Sequence, residues 1–150
     1  MERKIWSDAT THEAGCSCGQ LRLKAAGEPK MVVACSCKLC QLRTGSAFSV
    51  HAMYLNEAIE VTGKFSSYSR LGDSGRNVVF NFCPNCGATL FWSGEMRPEL
   101  TVVAAGAFDD SSFIRTPDRL VFAGKQVPWQ TWPDTMPRHV EGAKSPLINA

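Results

Sequence analysis

The chain has 150 residues, is 44% hydrophobic and 20% charged, and carries a formal net charge of +2. A chain of that length buries roughly 68–70% of its unfolded surface, so a single domain can form a core without disulfides to replace one. No lysine or arginine run exceeds two residues, which excludes the basic stripe of a nucleic-acid binder, and no apolar run approaches the length of a membrane span.

The start, MERKIWSDATTHEAG, has no apolar centre of the kind a secretory leader needs, so the expected compartment is the cytosol, where thiols stay reduced. Residues 1–14 read as a polar, flexible start. GQLRLKA (19–25) alternates Leu21 and Leu23 with polar neighbours, the pattern of a half-buried strand. PKMVVAC (29–35) reads as a second strand, and adjacent Val32 and Val33 suggest burial on both faces. QLRTGS (41–46) reads as a turn hinged at Gly45, and AFSVHAMYL (47–55) as a strand. NEAI gives one helical turn, IEVTG and KFSSYSRL two strands meeting at Gly63, and GDSG (72–75) a loop. RNVVFNFC (76–83) and ATLFWSG (88–94) flank a cysteine-bearing turn and predict a hairpin, and LTVVAAGAF (100–108) predicts the last strong strand. Beyond it the chain turns polar and rich in proline. Trp129 and Trp132 are expected to cover the core or to line a pocket wall. The sum is a mainly β domain of about eight short strands, with residues 126–150 as an irregular tail packed on it.

Seven cysteines in a reducing compartment call for something other than disulfides, and an odd number cannot pair completely. They fall in three groups: Cys16 and Cys18, then Cys35, Cys37 and Cys40, then Cys83 and Cys86. The first group lies in CSCGQL and the third in CPNCGATL, each ending in Cys-Gly and running into a strand. That is the pattern of a zinc knuckle. Backbone amides of the tight turn point at the thiolates, glycine permits a positive φ at the exit, and Pro84 presets φ inside the second turn. Two knuckles supply four sulfurs, so Cys16, Cys18, Cys83 and Cys86 are expected to form a closed, structural zinc site. Buried free cysteines and iron–sulfur ligation are the other readings of these four.

Cys35, Cys37 and Cys40 remain. Three thiolates from one loop occupy three corners of a tetrahedron and leave the fourth to water or a ligand, which is how catalytic zinc is presented. Alternatively a histidine closes the site, with His12, His51 and His139 as candidates, or the loop holds no metal and uses reactive thiols. Lys38, Arg43, Thr44, Gly45 and Ser46 lie in or beside this loop. They are expected either to meet an anionic substrate or to be solvated charge and turn.

The runs GCSCGQLRLKAAGEP, VVACSCKLCQLRTGSAFSV, VTGKFSSYSRLGDSGRNVVFNFCPNCGATLFW and VVAAGAFDD resemble the glutathione-dependent formaldehyde-activating family, also called the centromere protein V/formaldehyde-activating domain. The resemblance covers about residues 15–125, with all seven cysteines in order and with TGSAF, DSGR and CPNCG as further matches. It implies a single domain of short antiparallel strands built like a tent over zinc. It also implies two zincs per chain: a structural one on Cys16, Cys18, Cys83 and Cys86, and an exposed, labile or catalytic one on Cys35, Cys37 and Cys40. The implied activity joins glutathione to formaldehyde, as in S-(hydroxymethyl)glutathione synthase, a carbon–sulfur lyase. The implied partners are a small thiol such as glutathione and an aldehyde. One departure stands: Ser36 occupies the position where the family commonly has a histidine, and serine offers no imidazole. The contrasting reading is a non-catalytic zinc module that binds a protein or a thiol.

Overall fold

The computed structural model describes residues 10–148. The flexible start expected for residues 1–9 lies outside the described residues. The strands are β1 (Thr11–Gly15), β2 (Arg22–Ala26), β3 (Met31–Cys35), β4 (Ser49–Leu55), β5 (Ile59–Thr62), β6 (Ser66–Leu71), β7 (Asn77–Phe82), β8 (Thr89–Gly94), β9 (Leu100–Ala104) and β10 (Arg119–Val121). One α-helix, α1 (Lys38–Thr44), is present among the described residues. The mainly β expectation holds, with ten strands among the described residues where about eight were expected.

The chain divides into two compact units. One comprises Met1–Lys30 and Ala52–Phe113, the other Met31–His51 and Ile114–Ala150. Residues 126–148 group in the second unit together with the middle cysteine loop. β4 carries the chain from the second unit back into the first.

In the first unit β1, β2 and β5 form an antiparallel sheet in which β2 is central. Residues 11–14, expected to be flexible, are therefore strand. THEAG is too polar to announce itself, but β2 offers it a full ladder from Thr11↔Ala26 to Gly15↔Arg22, and Ala14 is buried. The other strands of this unit, β6 to β9, pair antiparallel in sequence order, and β7 and β8 form the expected hairpin. Phe80, Trp92 and Val102 make a core cluster there, with Met53, Val78 and Ala104 against it. Burying each such side chain contributes about 1.5–3 kcal/mol. The strand expected over 100–108 stops at Ala104 and continues as a 3-10 turn through Ala105–Ala107. Ala-Gly-Ala lacks the branched side chains that fill a pleated surface.

In the second unit β3 and β10 pair in parallel, with Val121 opposite Cys35. Val32, Val33 and Ala34 are all buried, as adjacent valines suggested. Ala34, Leu120, Ala123 and Met136 form its core, with Trp132 packed on them and edge-on to Phe48. Trp129, by contrast, is 73% exposed. The segment 41–46, expected to be a turn, is mostly helix. Cys37 is the N-cap, its thiol accepting from the Cys40 amide at 3.3 Å, and Gly45 closes the helix in the left-handed conformation with its N–H on Gln41 O. A turn ending in glycine and a seven-residue helix ending in a glycine cap look alike in sequence.

Candidate metal centres

The two knuckles are built alike. Cys16 N–H donates to Leu21 O at 3.0 Å, and Cys83 N–H donates to Ala88 O at 3.0 Å. Each loop exits through a left-handed glycine, Gly19 at φ 84° and Gly87 at φ 77°, as the Cys-Gly pattern predicted. The Leu21 amide donates to Cys16 Sγ at 3.3 Å, and Gln20 Nε2 donates to Cys83 Sγ at 3.0 Å. Burial pushes the Cys83 thiol up, but Gln20, the amides of Cys86 and Asn85 and the Cys18 thiol outweigh it and bring it to about 6. In the hairpin the register shifts between Asn81 and Phe82, one residue before Cys83, which turns the second knuckle out of the strand.

The four sulfurs lie within 4.8 Å of one another, with Cys16–Cys18 at 3.6 Å and Cys18–Cys83 at 3.7 Å. A zinc with Zn–S bonds of about 2.3 Å needs tetrahedral edges of about 3.8 Å. The donor set and its spacing therefore fit a four-thiolate zinc. Cys16 and Cys83 are buried, Cys18 and Cys86 exposed.

The sulfurs of Cys35, Cys37 and Cys40 also lie within 4.8 Å of one another, and no other His, Cys, Asp or Glu among the described residues joins them. Three thiols are a fitting but incomplete donor set for zinc. The family resemblance implied an exposed second site, but this cluster is buried: Cys35, Cys37 and Cys40 are 5%, 7% and 6% accessible, under Leu39, Val121 and Phe122. The Cys37 thiol is pushed below the usual thiol range. Cys35 and Cys40 donate to it, burial opposes, and the amides of Cys40 and Leu39 add to the effect, bringing it to about 2. Cys35 is pushed well above the usual thiol range, first by donating to Cys37, then by Cys40 and by burial.

None of the three histidines closes this site. His12 stacks on Phe113 and meets Glu28 Oε1 at 3.2 Å, and His139 Nδ1 lies 3.0 Å from Ser145 O. The buried Nε2 of His51 belongs to a ring that burial, and then the Arg43 charge, drive down to about 3, with Cys37 opposing. That histidine is neutral.

The residues expected beside the loop fall in different places. Lys38 is exposed at the start of α1. Arg43 is half-buried, and its Nη2 donates to Ser49 Oγ at 2.6 Å. Thr44 Oγ1 donates to Cys40 O at 2.8 Å and accepts from Ser46 N–H, so Thr44, Gly45 and Ser46 shape the exposed end of the helix.

The contacts that support this loop were not legible in sequence. Ser36, fully buried, accepts from Gln130 Nε2 at 2.9 Å, and its amide donates to Val121 O. Gln41 Nε2 ties Ser36 O to Lys125 O. With Phe122 against the thiols, the stretch 121–130 walls the loop. Ser36 and Gln130 stand 94 positions apart, and nothing local in either stretch points to the other.

The sequence profile described as glutathione-dependent formaldehyde-activating enzyme matches residues 11–124. The chain belongs to this family. All seven cysteines lie inside the matched region, and Gln130 lies outside it. Among solved structures, the crystal structure of a Rhodobacter sphaeroides protein is similar at 18% identity, covering 65% of this chain and 87% of that one, with a TM-score of 0.49. No curated protein is significantly similar.

Proposed function

We propose that the protein joins a primary thiol such as glutathione to formaldehyde, acting as a carbon–sulfur lyase of the S-(hydroxymethyl)glutathione synthase kind. The observation that carries this reading is a cluster of three convergent thiols, inside the family-matched region, that no fourth His, Cys, Asp or Glu among the described residues completes. On this reading Cys35, Cys37 and Cys40 are the catalytic cysteines and hold the second zinc, while Cys16, Cys18, Cys83 and Cys86 hold the structural one. Zinc on the three thiolates would keep an incoming thiol ionised at neutral pH.

The substrate sulfur, its proton given to solvent, attacks the aldehyde carbon. A C–S bond forms, the carbonyl π pair moves to oxygen, and the oxygen takes a proton from solvent. The product is a hemithioacetal, and no oxidant or reductant enters. Leu39, Val121 and Phe122 keep water from the reacting sulfur. Lys38 and Arg43 supply positive charge for the two carboxylates of glutathione, and Thr44, Gly45 and Ser46 present an exposed turn beside them. The setting on this reading is the cytosol, with neither nucleic acid nor membrane as partner.

The deep burial of the three thiols favours a second reading, a non-catalytic metal module that binds a protein or a thiol. Calorimetric titration with glutathione, followed by exchange NMR of glutathione and formaldehyde, separates the two. Binding with accelerated exchange is the expected result. Binding without acceleration supports the module, and no binding at millimolar glutathione retires the named reaction.

A further inference from the structure

Val121 and Phe122 are consecutive, and both pack against the same three thiols. A continuing strand forbids that, because successive side chains point to opposite faces. β10 ends at Val121, opposite Cys35, and the chain leaves strand geometry at the next residue. Phe122 has φ 56° and ψ 41°, the left-handed conformation. It is the one non-glycine residue with positive φ among the described residues. This backbone is unfavourable for a bulky L residue because Cβ crowds the following carbonyl.

The conformation is held on both sides. The Phe122 amide donates to Glu141 O at 2.8 Å, and its carbonyl accepts from the Lys125 amide at 3.0 Å. Glycine would keep both bonds without strain, and the chain does use glycine at its other positive-φ positions, Gly19, Gly27, Gly45, Gly63, Gly75 and Gly87. Here it keeps a benzyl ring instead. The ring is partly exposed while the thiols beneath it are not, so it stands between them and solvent. Strain retained at a site of this kind points to a role for the side chain it carries.

We propose that Phe122 is the specificity-determining residue of the three-thiol site: the left-handed turn folds its ring back over Cys35, Cys37 and Cys40, so that only a slim reactant, such as an unbranched thiol end or a one-carbon aldehyde, reaches them. This deepens the proposed reading of the same site and rests on it only for the identity of the reactants.

The test compares the metal-loaded wild type with Phe122→Gly and Phe122→Asn, both tolerant of a left-handed turn. Alkylation by N-ethylmaleimide and by bulky fluorescein maleimide is followed at each cysteine by peptide mass spectrometry, with Cys16, Cys18, Cys83 and Cys86 as internal reference. In the wild type the small reagent should outpace the bulky one at the three thiols by about tenfold or more. In both variants that ratio should fall at least about fivefold, while the reference cysteines react as before. An unchanged ratio, in a variant whose reference cysteines behave normally, overturns the proposal. If Phe122→Gly does not fold, Phe122→Asn decides; if neither folds, the ring serves stability rather than access, and the proposal falls. The assay uses neither glutathione nor formaldehyde, so failure of the proposed reaction leaves its outcome intact.

Discussion

The two cysteine clusters differ in span and in exposure, and the two differences run against each other. The four-sulfur cluster joins turns some 65 positions apart in the chain, yet half of its thiols are exposed. The three-sulfur cluster comes from six consecutive residues, and all of it is buried. Exposure alone would assign the open chemistry to the four-sulfur cluster, whereas span and donor number favour the three-sulfur one of the proposed reading. A metal that cross-links distant turns removes much more freedom from the unfolded chain than one that clips a single short loop. A site with four thiolates has no corner left for a substrate, and a site with three does.

The largest expected effect breaks this contrast at its base. Cys83→Ser should abolish soluble folded protein, since structural zinc in small domains contributes about 10–16 kcal/mol against a total stability of about 5–15 kcal/mol. Cys37→Ser should leave a folded protein by circular dichroism and thermal melting. Equal stability of the two variants would remove the contrast, and the opposite order would reverse the roles.

The glutamines that hold each site sharpen the comparison. Gln130→Ala removes the donor to buried Ser36 Oγ and should cost about 1–3 kcal/mol in chemical denaturation. Gln20→Ala removes a donor shared between Lys64 O and Cys83 Sγ at a less buried position, and should cost about 0.5–1.5 kcal/mol. A larger loss at Gln20 would show that the wall around the three thiols is loosely held.

The smallest effect is a pH dependence in the second unit. Burial pushes the Asp118 carboxyl up, but the Arg115 guanidinium and the Val32 amide outweigh it and hold it below the ordinary 3.8. Its folded value is depressed, so its stabilisation is complete above the ordinary value and is lost as pH falls through the lower folded one. The side chain is more than a third exposed, and solvent screening limits the effect to less than about 1 kcal/mol. Asp118→Asn should flatten the acid limb of the stability curve in that window while leaving neutral stability reduced; an unchanged acid limb would remove this contribution.

Strands and cysteine groupings were legible because their signals are local. Leu21 and Leu23 alternate with polar residues, and Cys-Gly pairs mark the two knuckles at Gly19 and Gly87. β1 was hidden because THEAG is a strand only by virtue of the ladder β2 offers it. α1 was hidden because a cysteine is its N-cap and seven residues carry too little periodicity to show. The wall of the three-thiol site was hidden for a different reason. Phe122 reads as one more apolar residue until its backbone conformation is known, and Gln130 meets Ser36 only after the chain has folded. Burial of Cys35, Cys37 and Cys40 draws on those long-range contacts as well as on Leu39 inside CSCKLC.

Zinc-edge X-ray absorption on the metal-loaded protein tests the contrast most directly. Seven cysteine sulfurs shared between two zincs should give about 3.5 sulfurs per zinc at about 2.3 Å, rising toward about 4 when glutathione is added. A value of four sulfurs per zinc before any thiol is added, or a single zinc per chain, would contradict a closed four-thiolate site beside an open three-thiolate one.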